Sequence, residues 1–132
     1  MRRVPVLSVV LAAFLVSSIA LAASNRVSAT FESLSASGIQ GSADLNSLAK
    51  GTVIHESLRG LTPGVQYVSF IFQQNATCAS GSPTTQVNQF TANPSGMATF
   101  NAKVDVDLAQ IGSISIQRVS DNALLACASV AP

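Results

Sequence analysis

Ala98-Thr99-Phe100-Asn101-Ala102-Lys103-Val104-Asp105-Val106-Asp107-Leu108 alternates apolar and polar residues without a break. Successive side chains of an extended chain point to opposite faces, so a period of two predicts a strand with one buried face and one face in water. Val27, Ala29 and Phe31 alternate with Ser28, Thr30 and Glu32 in the same way, and Val68, Phe70 and Phe72 alternate with Tyr67, Ser69 and Ile71. Both segments read as half-buried strands. Further strands are expected from Ile39 to Leu45, Thr52 to Leu58, Ile111 to Val119 and Leu124 to Val130. Between them stand the turn formers Ser37-Gly38, Pro63-Gly64, Asn93-Pro94-Ser95-Gly96 and Asp121-Asn122. About seven or eight short strands with frequent turns indicate an all-β chain, an antiparallel sandwich or flattened barrel. One strand breaks the pattern: Glu56 falls on the same side as Ile54 and Leu58, which predicts a bulge or an exposed edge strand there. No helix of useful length is expected, although Asp105 to Gln110 has room for a short turn.

The first residues read as a secretory signal. Arg2 and Arg3 form a basic start, Val6 to Leu21 is apolar apart from serines, and Ala20-Leu21-Ala22 has the A-x-A form of a cleavage site. The expected division is a leader over residues 1–22 and a single domain over 23–132, with no membrane span once the leader is removed. Of the 7 Lys and Arg, two lie in the leader, leaving five against 6 Asp and Glu, a net charge of −1. A nearly neutral chain with 10% charged residues offers no basic footprint for nucleic acid.

Cys78 and Cys127 are the 2 cysteines of the chain. An exported protein folds in an oxidising compartment, and a redox or metal-binding pair would call for close spacing such as C-x-x-C, so a structural disulfide is expected. Closing a loop of about 50 residues stabilises a fold by roughly 4 kcal/mol on the chain-entropy view. Gln74 to Gln89, rich in Ser, Thr, Gln and Asn and holding Cys78 and Pro83, reads as a long loop pinned by that bond. Long loops are often functional, which makes this segment the best guess for a contact surface.

An ordered set of features resembles the copper/zinc superoxide dismutase family and its looser relatives among secreted Greek-key domains. Leu58-Arg59-Gly60-Leu61-Thr62-Pro63-Gly64 is similar to the family's turn into its first metal-bearing strand. Asn75-Ala76-Thr77-Cys78 is similar to the following loop with its disulfide cysteine. Asn93-Pro94-Ser95-Gly96-Met97-Ala98-Thr99-Phe100 resembles a Gly-containing hairpin, Ile114-Ser115-Ile116-Gln117 the late metal-bearing strand, and Leu124-Leu125-Ala126-Cys127 the final strand with the partner cysteine. The resemblance covers roughly Ala43 to Val130 and implies a Greek-key β-sandwich or flattened barrel. It also implies a copper and zinc site, and there the chain departs from the family. The positions implied for two copper-binding histidines are Ser69 and Ile71, that of a third is Gln117, and that of the arginine guiding the substrate anion is Leu124. The whole chain holds 1 histidine, and none lies between Gln74 and Gln89. Copper and zinc need several imidazole or carboxylate donors converging at about 2 Å, which serine, isoleucine and glutamine do not supply.

The remaining polar residues support no other chemistry. His55 and Glu56 are adjacent in an expected strand and point to opposite faces, so they cannot jointly grip one ion. No G-x-S-x-G elbow accompanies His55 for a serine triad. Asp105 and Asp107, with Lys103 and Asn101, read as a solvated face; Met97 has no second methionine beside Met1 for a soft copper site. Asn75-Ala76-Thr77 has the form of a glycosylation sequon. The expectation is therefore a secreted or periplasmic protein without cofactor, not an enzyme, with a binding or structural role toward an envelope partner. Alternatives are a subunit of a surface assembly of pilus or adhesin type and a dismutase-like copper enzyme using His55 with ligands from a second chain.

Overall fold

The computed structural model describes residues 25–130; the expected leader, residues 1–22, lies outside them. Eight strands form: β1 (Arg26–Ser33), β2 (Gln40–Ser47), β3 (Thr52–Arg59), β4 (Gln66–Gln73), β5 (Thr84–Thr91), β6 (Ala98–Val104), β7 (Ile111–Arg118) and β8 (Leu124–Ser129), with one 3-10 turn over Leu108–Gln110. They hydrogen-bond in the order β5-β4-β7-β8-β1-β2-β3-β6, every pair antiparallel. The two end strands, β5 and β6, lie alongside each other, so the sheet curls into a nearly closed barrel. Counting that junction as a neighbour relation, β4, β5 and β6 follow one another and β7 returns beside β4, the Greek-key order.

Alternation supplies the interior. Ala29 and Phe31 of β1, Ala43 and Leu45 of β2, Ile54 and Leu58 of β3, Ile114 and Ile116 of β7, and Ala126 and Ala128 of β8 form one buried cluster. The cluster mixes small residues, Ala29, Ala43, Ala126 and Ala128, with large ones such as Phe31, Leu45, Ile54 and Ile114, as the interior of a narrow barrel requires. The junction between β5 and β6 is closed by rings rather than by a backbone ladder: Phe90 and Phe100 have centroids 4.9 Å apart, and Tyr67 stacks on Phe90 at 5.9 Å.

Four expectations need correction. First, Gln74 to Gln89 is not all loop, because Thr84–Thr91 is β5. Its alternation is masked by a register shift opposite Ser69 and Phe70, which leaves Val87 and Phe90 three apart yet both packed on the core. Second, β4 is not half-buried. Tyr67, Ser69 and Ile71 face the interior, and Val68 and Phe72 on its other face are buried too, since the segment between β4 and β5 folds over them. Third, the strand that opens at Ala98 ends at Val104, and Asp105 to Leu108 bend into the 3-10 turn while Val106 stays buried. Asp105 and Asp107 are thus exposed bend residues and not a pair on one strand face. Fourth, β3 has no bulge and is no edge. Its register with β2 and β6 is continuous through Glu56, and Glu56 is fully buried.

Candidate functional site

The segment between β4 and β5 is a built structure. Thr62-Pro63-Gly64-Val65 is a turn closed by Val65 N–H donating to Thr62 O at 3.2 Å, with Gly64 at φ 77°; Pro second and a positive-φ Gly third are the type II requirements. The turn launches β4, whose outer face carries Val68, Phe70 and Phe72 opposite Gln117, Ser115 and Ser113 of β7. Residues 74–83 then cross over that face. Asn75 organises them: its Nδ2 donates to Ala79 O (3.3 Å) and Ser82 Oγ (3.0 Å), and its Oδ1 accepts from Thr77 N–H (2.9 Å) and Thr77 Oγ1 (3.0 Å). Ser113 Oγ donates to Asn75 O (2.5 Å) and accepts from Cys78 N–H (3.0 Å). Gly112 lets the loop lie this close, because a Cβ there would be 2.3 Å from Asn75 N. The Cys78–Cys127 disulfide fastens the loop to β8 with a Cα separation of 6.1 Å. Gln74 and Cys78 both hold positive φ, at 54° and 53°, a conformation non-glycine residues keep only where surroundings enforce it.

Between loop and barrel wall lies an open cleft of about 770 Å³. Phe70, Phe72 and Leu124 supply its apolar lining; Thr77, Ser80, Ser82, Thr84, Gln117 and Asn122 supply polar groups. No charged side chain lines it.

Gln117 and Leu124, two of the positions implied by the family resemblance, therefore come together at this cleft. Gln117 Nε2 donates to Ser115 Oγ at 3.2 Å on the same outer wall. Ser69 and Ile71 do not join them, since both side chains point into the barrel and are fully buried. The β4 residues sharing a face with Gln117 are Gln66, Val68, Phe70 and Phe72, none of which supplies an imidazole or carboxylate. Among the described residues, no three His, Cys, Asp or Glu side chains converge on a point.

His55 lies half-buried on the outer face of β3, its Nδ1 2.6 Å from Asn101 Oδ1, in the cross-strand row that also holds Asp44. Asp44 in turn accepts from Ser28 Oγ and lies 3.7 Å from Arg26. Asp105 lies 3.9 Å from Lys103, and Asp107 Oδ1 accepts from Gly51 N–H at 3.4 Å. Met97 is exposed.

Sequence reasoning missed the pair at the barrel's centre. Ser69 Oγ donates to Glu56 Oε1 at 2.6 Å, and the other carboxyl oxygen, Oε2, is buried with no hydrogen-bond partner. Burial raises the Glu56 pKa from its ordinary value to about 8, with the Ser69 hydrogen bond pulling more weakly the other way. The carboxyl is therefore mostly protonated at neutral pH. The signal was visible in the phase of Glu56 with Ile54 and Leu58; what pattern alone lacks is the partner across the barrel that makes such burial tolerable.

No protein-family model matches the chain, and no curated protein matches it.

Proposed function

We propose that this chain is an exported, non-catalytic β-barrel protein that binds a partner at the cleft beneath the stapled loop. It resembles copper/zinc superoxide dismutase with the metal site lost. The observation that carries the binding reading is the construction of the loop. A disulfide, a four-bond asparagine hub and a glycine contact hold residues 74–83 across the outer face of β4, over Phe72 and beside a cleft that Phe70 and Leu124 line. A loop that served only to connect β4 to β5 would need none of these, since antiparallel neighbours join through a few residues. The absence of charge in the lining favours a partner that presents an uncharged, partly apolar surface. The family reading is supported by the Greek-key order and by a disulfide joining the loop after β4 to the last strand.

The non-catalytic reading is tested by metal content. Oxidised protein incubated with copper and zinc and then dialysed should retain far less than one ion per chain by elemental analysis; one ion per chain or per dimer would overturn it. The binding reading is tested by comparing wild type with Phe70→Asp as baits in an envelope extract. A partner held by wild type and lost by the variant supports the cleft, and equal retention moves the contact elsewhere.

A second reading, a subunit of a surface assembly, is favoured by β5. It ends the hydrogen-bonded sheet and runs eight residues, Thr84–Thr91, without charge, Pro or Gly, so the register shift opposite Ser69 and Phe70 is its main device against edge pairing. Sedimentation that rises with concentration and is abolished by Gln86→Lys would support this reading. A monomer at all concentrations would exclude it.

A further inference from the structure

The two halves of the barrel wall meet at β6 and β5, and the strands one step in from that junction are β3 and β4. Glu56 is on β3 and Ser69 on β4. Their hydrogen bond therefore runs behind the junction, from one half of the wall to the other. In front of it Phe100, the β6 residue opposite Glu56, packs at a tilt against Phe90 of β5. The backbone contributes no ladder between β5 and β6, so this seam is closed by side chains, among them the rings of Phe90 and Phe100 and the buried contact of Glu56 with Ser69.

We propose that Glu56 and Ser69 form a proton-controlled latch on the β5–β6 seam: with the carboxyl protonated the seam stays shut, and when the proton leaves to solvent the seam opens. The geometry supplies no other way to hold a charge at this position. The residues facing Glu56 by register are Ala43 on β2 and Phe100 on β6; those facing Ser69 are Asn88 on β5 and Ile116 on β7. None ionises. The inward titratable group on these strands besides Glu56 is Tyr67, whose hydroxyl accepts from Thr62 N–H at 2.9 Å. Arg118, opposite Tyr67, is bound to Asp121 at 2.7 Å. His55, Asp44 and Lys103 sit on the outer face of the same wall. A carboxylate here would have one hydroxyl donor and an oxygen with none, an arrangement a protein interior does not tolerate. Opening the seam admits water at the smallest structural cost, because it breaks ring contacts and no ladder. The pKa of about 8 sets the range in which this occurs. Opening frees the edges of β5 and β6 together.

The chain carries its own reporter, since Tyr67 is its 1 tyrosine, it has 0 tryptophans, and that ring stacks on Phe90 at the seam. Near-ultraviolet circular dichroism of Tyr67 should fall by more than half across the Glu56 titration. The far-ultraviolet signal should hold. Hydrogen-exchange protection, corrected for intrinsic rates, should drop about tenfold per pH unit at β5 and β6 amides and stay level at β1 and β2, as a one-proton opening requires. Glu56→Gln, uncharged at every pH, should remove both changes. The proposal is overturned if Glu56→Gln shows the same losses or if protection falls evenly over all strands. Should Glu56→Gln fail to fold, Ser69→Ala decides: it removes the latch bond, so protection at β5 and β6 amides must fall at neutral pH while β1 and β2 keep theirs, and unchanged protection at the seam overturns the latch.

Discussion

Ser69 Oγ donates a 2.6 Å hydrogen bond to Glu56 Oε1 in the interior of the barrel, and no second donor or acceptor reaches the carboxyl. The stability of the protein is tied to one proton through this contact. Below about pH 4.5 the carboxyl is protonated folded or unfolded. Between 4.5 and about 8 the unfolded chain gives the proton up while the folded chain keeps it. The folded state then binds more protons, so stability falls as pH rises, with a slope approaching 1.4 kcal/mol per unit, and levels off above about 8. Urea unfolding at a series of pH values should show this decline in wild type and a nearly flat profile over the same window in Glu56→Gln. A rise in wild-type stability across that window would refute the assignment of a buried neutral acid.

Cys127→Ala cuts the bond between β8 and the loop. Loss of a native disulfide from a small domain costs about 2–5 kcal/mol, so the melting temperature under oxidising conditions should drop strongly. An unchanged value would mean that the bond contributes nothing to stability.

Gly112→Ala places a methyl 2.3 Å from the Asn75 backbone. Backbone on both sides leaves little to give, and overpacking of this kind costs about 1–3 kcal/mol. The loop should yield before β7 does, so limited proteolysis should cut residues 76–82 faster than in wild type while the far-ultraviolet spectrum is unchanged.

Phe72→Ala removes a buried ring from beneath the loop. The expected loss is about 3–5 kcal/mol, measured by thermal or urea unfolding. A loss below about 1 kcal/mol would show that the loop does not pack on β4.

His55→Ala should change stability by no more than about 0.5 kcal/mol, because its one side-chain bond, to Asn101, is on the outer face. Metal content after incubation with copper and zinc should not differ between His55→Ala and wild type.

The alternation at Val27 to Phe31 and Ala98 to Val104 determined by itself that the chain is antiparallel β with one buried face per strand, because a side chain's face follows from its parity along an extended backbone. The turn residues divided most of the strands, and two widely spaced cysteines behind an expected leader were enough to expect one disulfide. Parity names a face without saying what covers it. Only the nearly closed barrel decided that Ser69 and Ile71 point inward while Gln117 and Leu124 share an outer cleft, since this depends on which strands become neighbours across long stretches of chain. It also decided that Val68 and Phe72 are buried under residues 74–83, that Thr84–Thr91 is a strand despite its broken period, and that Glu56 is central. A glutamate in phase with Ile54 and Leu58 is a defect when read along one strand. Across the barrel it has Ser69, and a hydrogen bond between residues on separate strands exists only once both walls are in place.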